Sequence, residues 1–220
     1  MLQGLSFHLF KQSNIKSIIF LIGLLSVFES SATLKSSDAL LQKNQTKHYS
    51  EALIRIKQWQ QLIQTSKFLS EKEKLIQVNN FFNQQISFAN DINLWGVKDY
   101  WATPYEVLSK GAGDCEDYSI AKYYSLIKLG VPEHKLRITY VKALKYNQAH
   151  MVLSYFSHPH AIPTILDNLI PDIISIKQRQ DLLPFFSFND SGVWLASTSH
   201  EKKLKHTPQL FMWEKLKHRI

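Results

Sequence analysis

The sequence is poor in cysteine: its 220 residues contain only one, Cys115. A single thiol excludes an internal disulfide and any metal site built from several cysteines. Glycine and proline are also scarce, with seven of each, so the chain is neither collagen-like nor a low-complexity segment. It has one long apolar run, close to the N-terminus. The remaining composition, with 45% apolar residues, is typical of a folded globular protein.

The N-terminal apolar run has the layout of a secretory signal peptide. Lys11 and Lys16 precede the run at residues 17–28, and small residues ending at Ala32 follow it. The run has about 12 residues, whereas a membrane-spanning helix needs roughly 20. We therefore expect cleavage after Ala32, removal of residues 1–32 and export to a bacterial periplasm. The alternatives are an uncleaved membrane anchor and a buried core helix.

The rest of the chain divides into three parts by composition. Residues 33–50 are polar and are predicted to be loose, residues 51–200 carry the patterned segments of one domain, and residues 201–220 form a basic tail. The tail supplies much of the formal net charge of +8. Such a tail can bind nucleic acid, anionic lipid or an acidic partner, but for an exported protein a solvated basic surface is the favoured interpretation.

Helical patterns come before strand patterns in the predicted domain. Apolar residues recur at helical spacing in 51–65 and 70–86, and Ser70 with Glu73 forms a capping box. A third helix is predicted over 114–130. Helices followed by an antiparallel set of strands indicate an α+β fold with N-terminal helices packed on the sheet. Apolar, β-rich segments predict strands at 135–144, 149–156, 161–169, 183–190 and 192–198.

The only thiol lies at the start of the third predicted helix. Asp114 suits the N-cap, and Glu116 and Asp117 are acids of the first turn. The helix N-terminus favours a thiolate at Cys115, but the neighbouring carboxylates oppose one. The acids therefore either only cap the helix, or they hold a cation that offsets their charge.

Two residues are candidates to activate the thiol. A cysteine nucleophile needs a base, usually histidine, and the base needs an orienting group. His150 lies inside an apolar, strand-like run, and Asp167 interrupts another. The alternatives are a buried core histidine and an aspartate in a turn at a strand end. Spacings of 35 and 17 residues along Cys115, His150 and Asp167 match the layout of papain-like and transglutaminase-like cysteine enzymes.

Long stretches around these three residues closely resemble the bacterial transglutaminase-like cysteine proteinases. The resemblance covers roughly residues 50–200 and implies a papain/transglutaminase-like fold. It is carried by DYWATPYEVLSKGAGDCEDYSIAKYYSLIKLGVP (99–132), YVKAL (140–144), AHMVLSYF (149–156), PTILDNL (163–169) and LLPFFSFND (182–190).

The resemblance also implies roles for the site residues. Cys115 is the expected nucleophile, His150 the general base and acid, and Asp167 the orienting carboxylate. Such enzymes are calcium-dependent, and their Asp-Cys-Glu motif matches Asp114, Cys115 and Glu116. Asp117 is expected as a possible further Ca²⁺ ligand. One calcium ion would offset two negative charges beside the thiol.

By the same resemblance, the expected function is that of a calcium-dependent periplasmic thiol protease. Its substrate would be a large surface adhesin of the RTX type, cut near its N-terminus at a di-alanine site, which disperses biofilm. An inner-membrane receptor that senses cyclic di-GMP would hold the protease. The aromatic stretch LWGVKDYWATP (94–104) could wall the substrate groove or belong to the core.

Three other readings of the sequence remain open. The triad activates a thiol equally for amine transfer, so it does not by itself distinguish a transglutaminase from a protease. A peptidoglycan-directed cysteine peptidase or amidase would share the compartment and the chemistry. A catalytically silent receptor-binding protein would keep the fold alone, although intact Cys115, His150 and Asp167 argue against it.

Overall fold

The computed structural model describes residues 42–195, 203–204 and 208–220. The predicted signal peptide and residues 33–41 lie outside this range. Ser50–Ile220 forms one compact unit, and residues 42–49 belong to a separate N-terminal unit. Among the described residues, no helix has both the length and the apolar character that crossing a membrane requires.

Six α-helices are described, four of them before the predicted nucleophile. Two short 3-10 turns, Glu133–Lys135 and Ile176–Gln178, complete the helical elements. The α-helices are α1 (42–65), α2 (Glu71–Gln85), α3 (Asp91–Leu94), α4 (Pro104–Lys110), α5 (Cys115–Lys128) and α6 (Pro208–Lys217).

The main sheet has seven strands in the order β6-β5-β4-β3-β7-β8-β9, and every neighbouring pair is antiparallel. β1 and β2 form a separate parallel pair, and β2 lies just before α5 in the chain. The strands are β1 (Ser87–Phe88), β2 (Ala112–Gly113), β3 (Leu136–Ala143), β4 (Gln148–Tyr155), β5 (Thr164–Leu166), β6 (Ile174–Ser175), β7 (Leu182–Asn189), β8 (Gly192–Leu195) and β9 (Lys203–Leu204). The predicted α+β order, helices first and an antiparallel sheet after, is confirmed.

Local sequence explains where the helices begin and end. The predicted capping box of α2 is present, with the Ser70 backbone N–H donating to Glu73 Oε2 over 2.9 Å. A second capping box, Thr103 with Glu106, starts α4. Gly111 ends α4 in the left-handed region, at φ 67°, and the Arg55 guanidinium occupies the space that a Cβ would need. This tight turn leads the chain directly into β2 and then into Cys115.

The core lies between the helices and one face of the sheet. Helix α5 packs against α2, β3 and β4, so it is the central helix of the domain. Its residues Tyr118, Ile120, Ala121, Tyr123 and Leu126 are all buried. A smaller apolar cluster covers the other face of the sheet: Val141, Ala143, Val152, Ile165 and Leu182. The site is therefore built where a rigid helix N-terminus meets a rigid sheet.

Both ends of the predicted domain differ from expectation. Helix α1 already includes residues 42–50, part of the segment predicted to be loose. The predicted solvated tail contains α6, in which Trp213 and Leu216 are fully buried. Trp213 stacks on Tyr124, and its indole N–H donates to Asp190 over 2.8 Å. The expectation of a solvated tail fails here because apolar side chains are interspersed with the basic ones.

Candidate active site

Three elements carry the predicted triad, and two of its members line one cleft. Cys115 is the first residue of α5, His150 lies in β4, and Asp167 directly follows β5. Cys115 and His150 both line a cleft of about 260 Å³. Because α5 packs on β4, the helix N-terminus and the histidine strand share this cleft.

The predicted base and its orienting carboxylate are in direct contact. His150 Nε2 lies 2.8 Å from Asp167 Oδ1, and both side chains are buried, 4% and 1% exposed. Strand pairing sets this contact, since Leu153 of β4 faces Leu166 of β5. Asp167 thus sits one residue beyond its strand, so it is a strand-end aspartate that also partners the histidine.

Several further groups hold Asp167. Arg179 Nη2 donates to Oδ2 over 2.6 Å, and the Leu169 backbone N–H donates to Oδ1 over 3.1 Å. The main-chain oxygen of Asp167 accepts from Asn83 Nδ2 over 2.8 Å and from Lys122 Nζ over 3.1 Å. The carboxylate and the backbone of Asp167 are therefore fixed by different donors.

These contacts keep the carboxylate ionised. Burial alone would raise the pKa of Asp167, but the hydrogen bond and charge of His150 and the hydrogen bond from Arg179 lower it to about 2. An ionised carboxylate can only accept, so His150 Nε2 is the donor. This leaves Nδ1 as the ring nitrogen that can accept a proton from the thiol.

The thiol end of the cleft is different. Cys115 Sγ donates to Glu116 Oε2 over 3.0 Å. Burial first, and then the charges of Glu116 and Asp114, raise the pKa of the Cys115 thiol well above its ordinary value. A backbone N–H from Met151 acts in the opposite direction but does not outweigh them. The protein groups alone therefore oppose formation of the thiolate that a nucleophile requires.

Besides burial, acids near the thiol contribute to this opposition, and they belong to a larger cluster of carboxylates. Oxygens of Asp91, Asp99 and Glu116 lie within 4.8 Å of one another, and Asp114 approaches both Asp91 and Glu116 as closely. Burial raises the pKa of Asp91 to about 6, and burial with the charge of Glu116 raises that of Asp114 to about 10. The Oδ1 atoms of Asp91 and Asp114 are buried and have no hydrogen-bond partner within the described parts of the chain.

This donor set fits a hard divalent cation. Calcium takes six to eight oxygen ligands, carboxylates among them, and a buried unpaired carboxylate oxygen is otherwise costly. Asp114 and Glu116, predicted as ligands, belong to the cluster. Asp91, the first residue of α3, and Asp99 were not predicted, because their only signal in the sequence is that two acids precede the thiol.

Asp117, the third predicted ligand, is placed differently from the other two. It groups with Asp91 and Asp114, but both of its oxygens already accept backbone hydrogen bonds. Its Oδ1 accepts from the Ala102 N–H over 2.8 Å, and its Oδ2 from the Asp114 N–H over 3.3 Å. A Cβ at Gly113 would lie 2.8 Å from Asp117 Oδ2, so only glycine fits there. Through these hydrogen bonds, Asp117 links the loop residue Ala102 to the N-terminus of α5.

Apolar side chains form the other walls of the cleft. Trp101, Tyr140, Met151 and Met212 line it. Of the predicted aromatic stretch, Trp101 reaches the cleft and also stacks on Phe188 in the core. Its two proposed roles, groove wall and core, are therefore both fulfilled by one residue.

The C-terminal helix completes the cleft. Met212 of α6 lines it, and Arg219 lies just beyond the helix end. Arg219 Nη1 contacts Glu106 Oε2 at 3.1 Å, and Nη2 donates to the main-chain oxygen of Trp101. The predicted basic tail thereby braces the segment that carries Trp101.

Comparisons with known proteins agree with this geometry. Residues 46–202 match the family model of the bacterial transglutaminase-like cysteine proteinases. The structure is similar to Legionella pneumophila LapG, with 39% identity and a TM-score of 0.68 over 81% of this chain and 96% of that one. Calcium-bound LapG of the same organism matches with 39% identity, a TM-score of 0.68 and coverages of 81% and 97%.

A third structure, EGTA-treated Legionella pneumophila LapG, matches with 40% identity, a TM-score of 0.68 and coverages of 81% and 96%. No curated protein matches the chain. Family match and structural similarity span the thiol, the histidine strand and the carboxylate loop together. The chain therefore belongs to the bacterial transglutaminase-like cysteine proteinase family and is a cysteine peptidase that acts on protein substrates.

Proposed function

We propose that this peptidase is a calcium-dependent periplasmic protease that cuts the N-terminal region of a large RTX-type surface adhesin. Cleavage at a di-alanine site would release the adhesin and disperse biofilm. The observation that carries the proposal is the carboxylate cluster at the thiol, in which Asp91, Asp99, Asp114 and Glu116 converge. A cysteine peptidase with its nucleophile held in surplus negative charge needs a cation to work.

The end of the cleft where His150 pairs with Asp167 supplies the acid–base chemistry. His150 Nδ1 takes the proton of the Cys115 thiol, and the thiolate attacks the carbonyl carbon of the scissile peptide bond. The backbone N–H groups at the N-terminus of α5 are oriented to stabilise the resulting oxyanion. Asp167 accepts from Nε2 throughout, which holds the imidazole and stabilises its charged form.

The second half of the reaction regenerates the enzyme. When the tetrahedral intermediate collapses, the C–N bond breaks and the imidazolium gives its proton to the leaving amine. The acyl group remains on Cys115 Sγ as a thioester. A water molecule, deprotonated by His150, then attacks the thioester, and the thiol recovers its proton as the carboxylic acid product leaves.

Calcium would be held by Asp91, Asp99, Asp114 and Glu116. When bound, it neutralises the charge that opposes thiolate formation and orders the loop leading into α5. The calcium-bound and EGTA-treated forms of a protein 39–40% identical to this one support such a site.

The shape of the cleft supports a substrate with small residues at the cut. Its volume of about 260 Å³ is small, and Trp101, Tyr140 and Met212 occupy its walls. Alanine side chains beside the scissile bond would leave the backbone room to approach Cys115 Sγ. The di-alanine preference itself comes from the family resemblance.

The compartment and the partner are further parts of the proposal. The signal-peptide pattern of residues 1–32 supports export, and the periplasm is the compartment from which the N-terminal region of an adhesin held in the outer membrane could be cut. An inner-membrane cyclic di-GMP receptor of the LapD type would hold the protease while the nucleotide is abundant.

A cleavage assay tests the proposal. The purified protein would be mixed with an N-terminal adhesin fragment from the same genome, with calcium or with a chelator, and Cys115→Ala would serve as the inactive control. We expect a single cut at the di-alanine site with calcium only. Equal cleavage in chelator would refute the calcium requirement, and no cleavage of the fragment by folded, calcium-loaded protein would refute the adhesin substrate.

A further inference from the structure

Arg179 is a fully buried cation beside the proposed triad. It follows the 3-10 turn Ile176–Gln178 and is 1% exposed. Its Nε and Nη2 donate to Asp181 over 2.9 and 2.8 Å, and Nη2 also donates to Asp167 Oδ2 over 2.6 Å. Burying a guanidinium is costly unless it is paired, so the position of Arg179 is determined by these two carboxylates.

The groups that donate hydrogen bonds to Asp167 fall into two sets: some bind its main-chain oxygen, and others bind its carboxylate. Asn83 and Lys122 hold its main-chain oxygen, so they fix where the residue lies. They do not fix the plane of its carboxylate: the Leu169 N–H and His150 hold Oδ1, but a partial rotation about the Cβ–Cγ bond would still move Oδ2 and tilt Oδ1 away from Nε2. Arg179 is the side-chain donor to Oδ2, whereas His150 uses Oδ1.

We infer that Arg179 is a positioning residue: it fixes the Asp167 carboxylate so that Oδ1 stays aimed at His150 Nε2 and thereby holds the imidazole toward the thiol. The inference rests on the proposed triad. Asp181 alone would satisfy two of the hydrogen bonds of Arg179, so a purely structural ion pair does not require the contact with Asp167. That contact places the planar guanidinium between the partly buried carboxylate of Asp181 and the fully buried carboxylate of Asp167.

Kinetics of two variants test this role. Arg179→Met should lower kcat by about 10²-fold with little change in KM, because the base is misaligned while the substrate cleft is intact. Arg179→Lys keeps the charge but cannot bridge both carboxylates, so its kcat should lie between those of Arg179→Met and wild type.

A matched control separates positioning from general stability. Arg137 is also a buried arginine of this domain, stacked between the rings of Phe156 and Trp194 at 4.6 and 4.0 Å, and it lies outside the cleft. Arg137→Met should lower the melting temperature and leave kcat unchanged. Equal kcat in Arg179→Met, Arg179→Lys and wild type would overturn the inference.

A measurement without substrate gives a second readout. Proton NMR of the calcium-loaded protein should show a downfield imidazole N–H resonance from the His150–Asp167 hydrogen bond, assigned by its loss in His150→Gln. We expect it to broaden or vanish in Arg179→Lys and to persist in Arg137→Met. If Arg179→Met does not fold, Arg179→Lys decides the matter by this signal and by kcat.

Asp167→Asn distinguishes failure of this inference from failure of the triad. Loss of activity in Asp167→Asn with full activity and an unchanged resonance in both Arg179 variants would refute only the role of Arg179. Full activity in Asp167→Asn would refute the triad itself, and the role of Arg179 with it.

Discussion

The two ends of the cleft treat buried carboxylates in opposite ways. At the histidine end, Asp167 receives hydrogen bonds from His150, Arg179 and a backbone N–H, and its pKa falls to about 2. At the thiol end, Asp91 and Asp114 each bury an oxygen that has no partner among the described residues, and their pKa values rise. The carboxylate at the histidine end is paired by protein groups, whereas the acids at the thiol end carry charge that the proposed cation would offset.

The difference separates two tasks of the same enzyme. The base must be held rigidly at all times, so the groups that position it are side chains and backbone groups of the protein itself. The nucleophile is surrounded by carboxylates whose repulsion a bound cation would relieve, so its activity can depend on an ion outside the chain. Each prediction below perturbs one end and asks whether the other responds.

The largest effect is expected from removing either reacting group. Cys115→Ala and His150→Ala should each reduce cleavage by about 10⁴-fold or more, because the thiol and its base act as one unit. Gel-based cleavage of the adhesin fragment gives the rate, and circular dichroism confirms that both variants are folded. Substantial activity in either variant would remove it from the proposed triad.

Neutralising one carboxylate at each end should change stability with opposite signs. In chelator, Asp167→Asn should lower the free energy of unfolding by about 3 kcal/mol or more, since it breaks a buried charge network. Asp114→Asn should raise it by about 1 kcal/mol, because an amide avoids the cost of burying a carboxyl group beside Glu116, the same cost that raises the pKa of Asp114. Urea unfolding measures both values.

An exposed acid serves as the control for these two variants. Glu214 pairs with Lys217 at the surface, and Glu214→Gln should change stability by less than about 0.5 kcal/mol. If Asp114→Asn destabilised the protein in chelator as Asp167→Asn does, the contrast between the two ends would be wrong.

Bound calcium should stabilise the thiol end of the cleft and leave the histidine end unchanged. At a concentration about 100 times its dissociation constant, it should add about 2.7 kcal/mol of stability. For a protein of this size, that raises the melting temperature by about 5–10 °C. Glu116→Gln should reduce the increase, whereas Arg137→Met should keep it; calorimetry in calcium and in chelator compares them. An undiminished increase in Glu116→Gln would argue against this residue as a ligand.

The last effect, confined to acidic solution, is a dependence of stability on pH at the histidine end. Asp167 has a pKa lowered in the folded state, so its stabilisation is complete above the unfolded pKa of about 4 and is lost as pH falls toward about 2. The loss should amount to about 2–3 kcal/mol. Thermal unfolding between pH 5 and pH 2 should therefore show a flatter profile for Asp167→Asn than for wild type, and parallel profiles would contradict the assignment.

Much of the fold follows from local patterns. The capping box of α2, the start of α5 at Cys115 and the strands β3, β4 and β7 were predicted from apolar spacing and turn residues, because each pattern is contained in a short stretch of chain. The tail was misread for the same reason. Its basic residues dominate the local composition, while the burial of Trp213 depends on Tyr124 and Phe188, far away in the sequence.

The sequence by itself determined the chemical inventory of the site: one thiol at a helix N-terminus, acids around it, and a histidine and an aspartate in apolar strands. Only the tertiary structure decided which charges meet. Asp91 and Asp99 join the acids at the thiol, and Arg179 joins Asp167, because loops distant in sequence are folded against the same two elements. Electrostatic interactions depend on distance in space, so the surplus of negative charge at one end and its balance at the other appear only once the chain is folded.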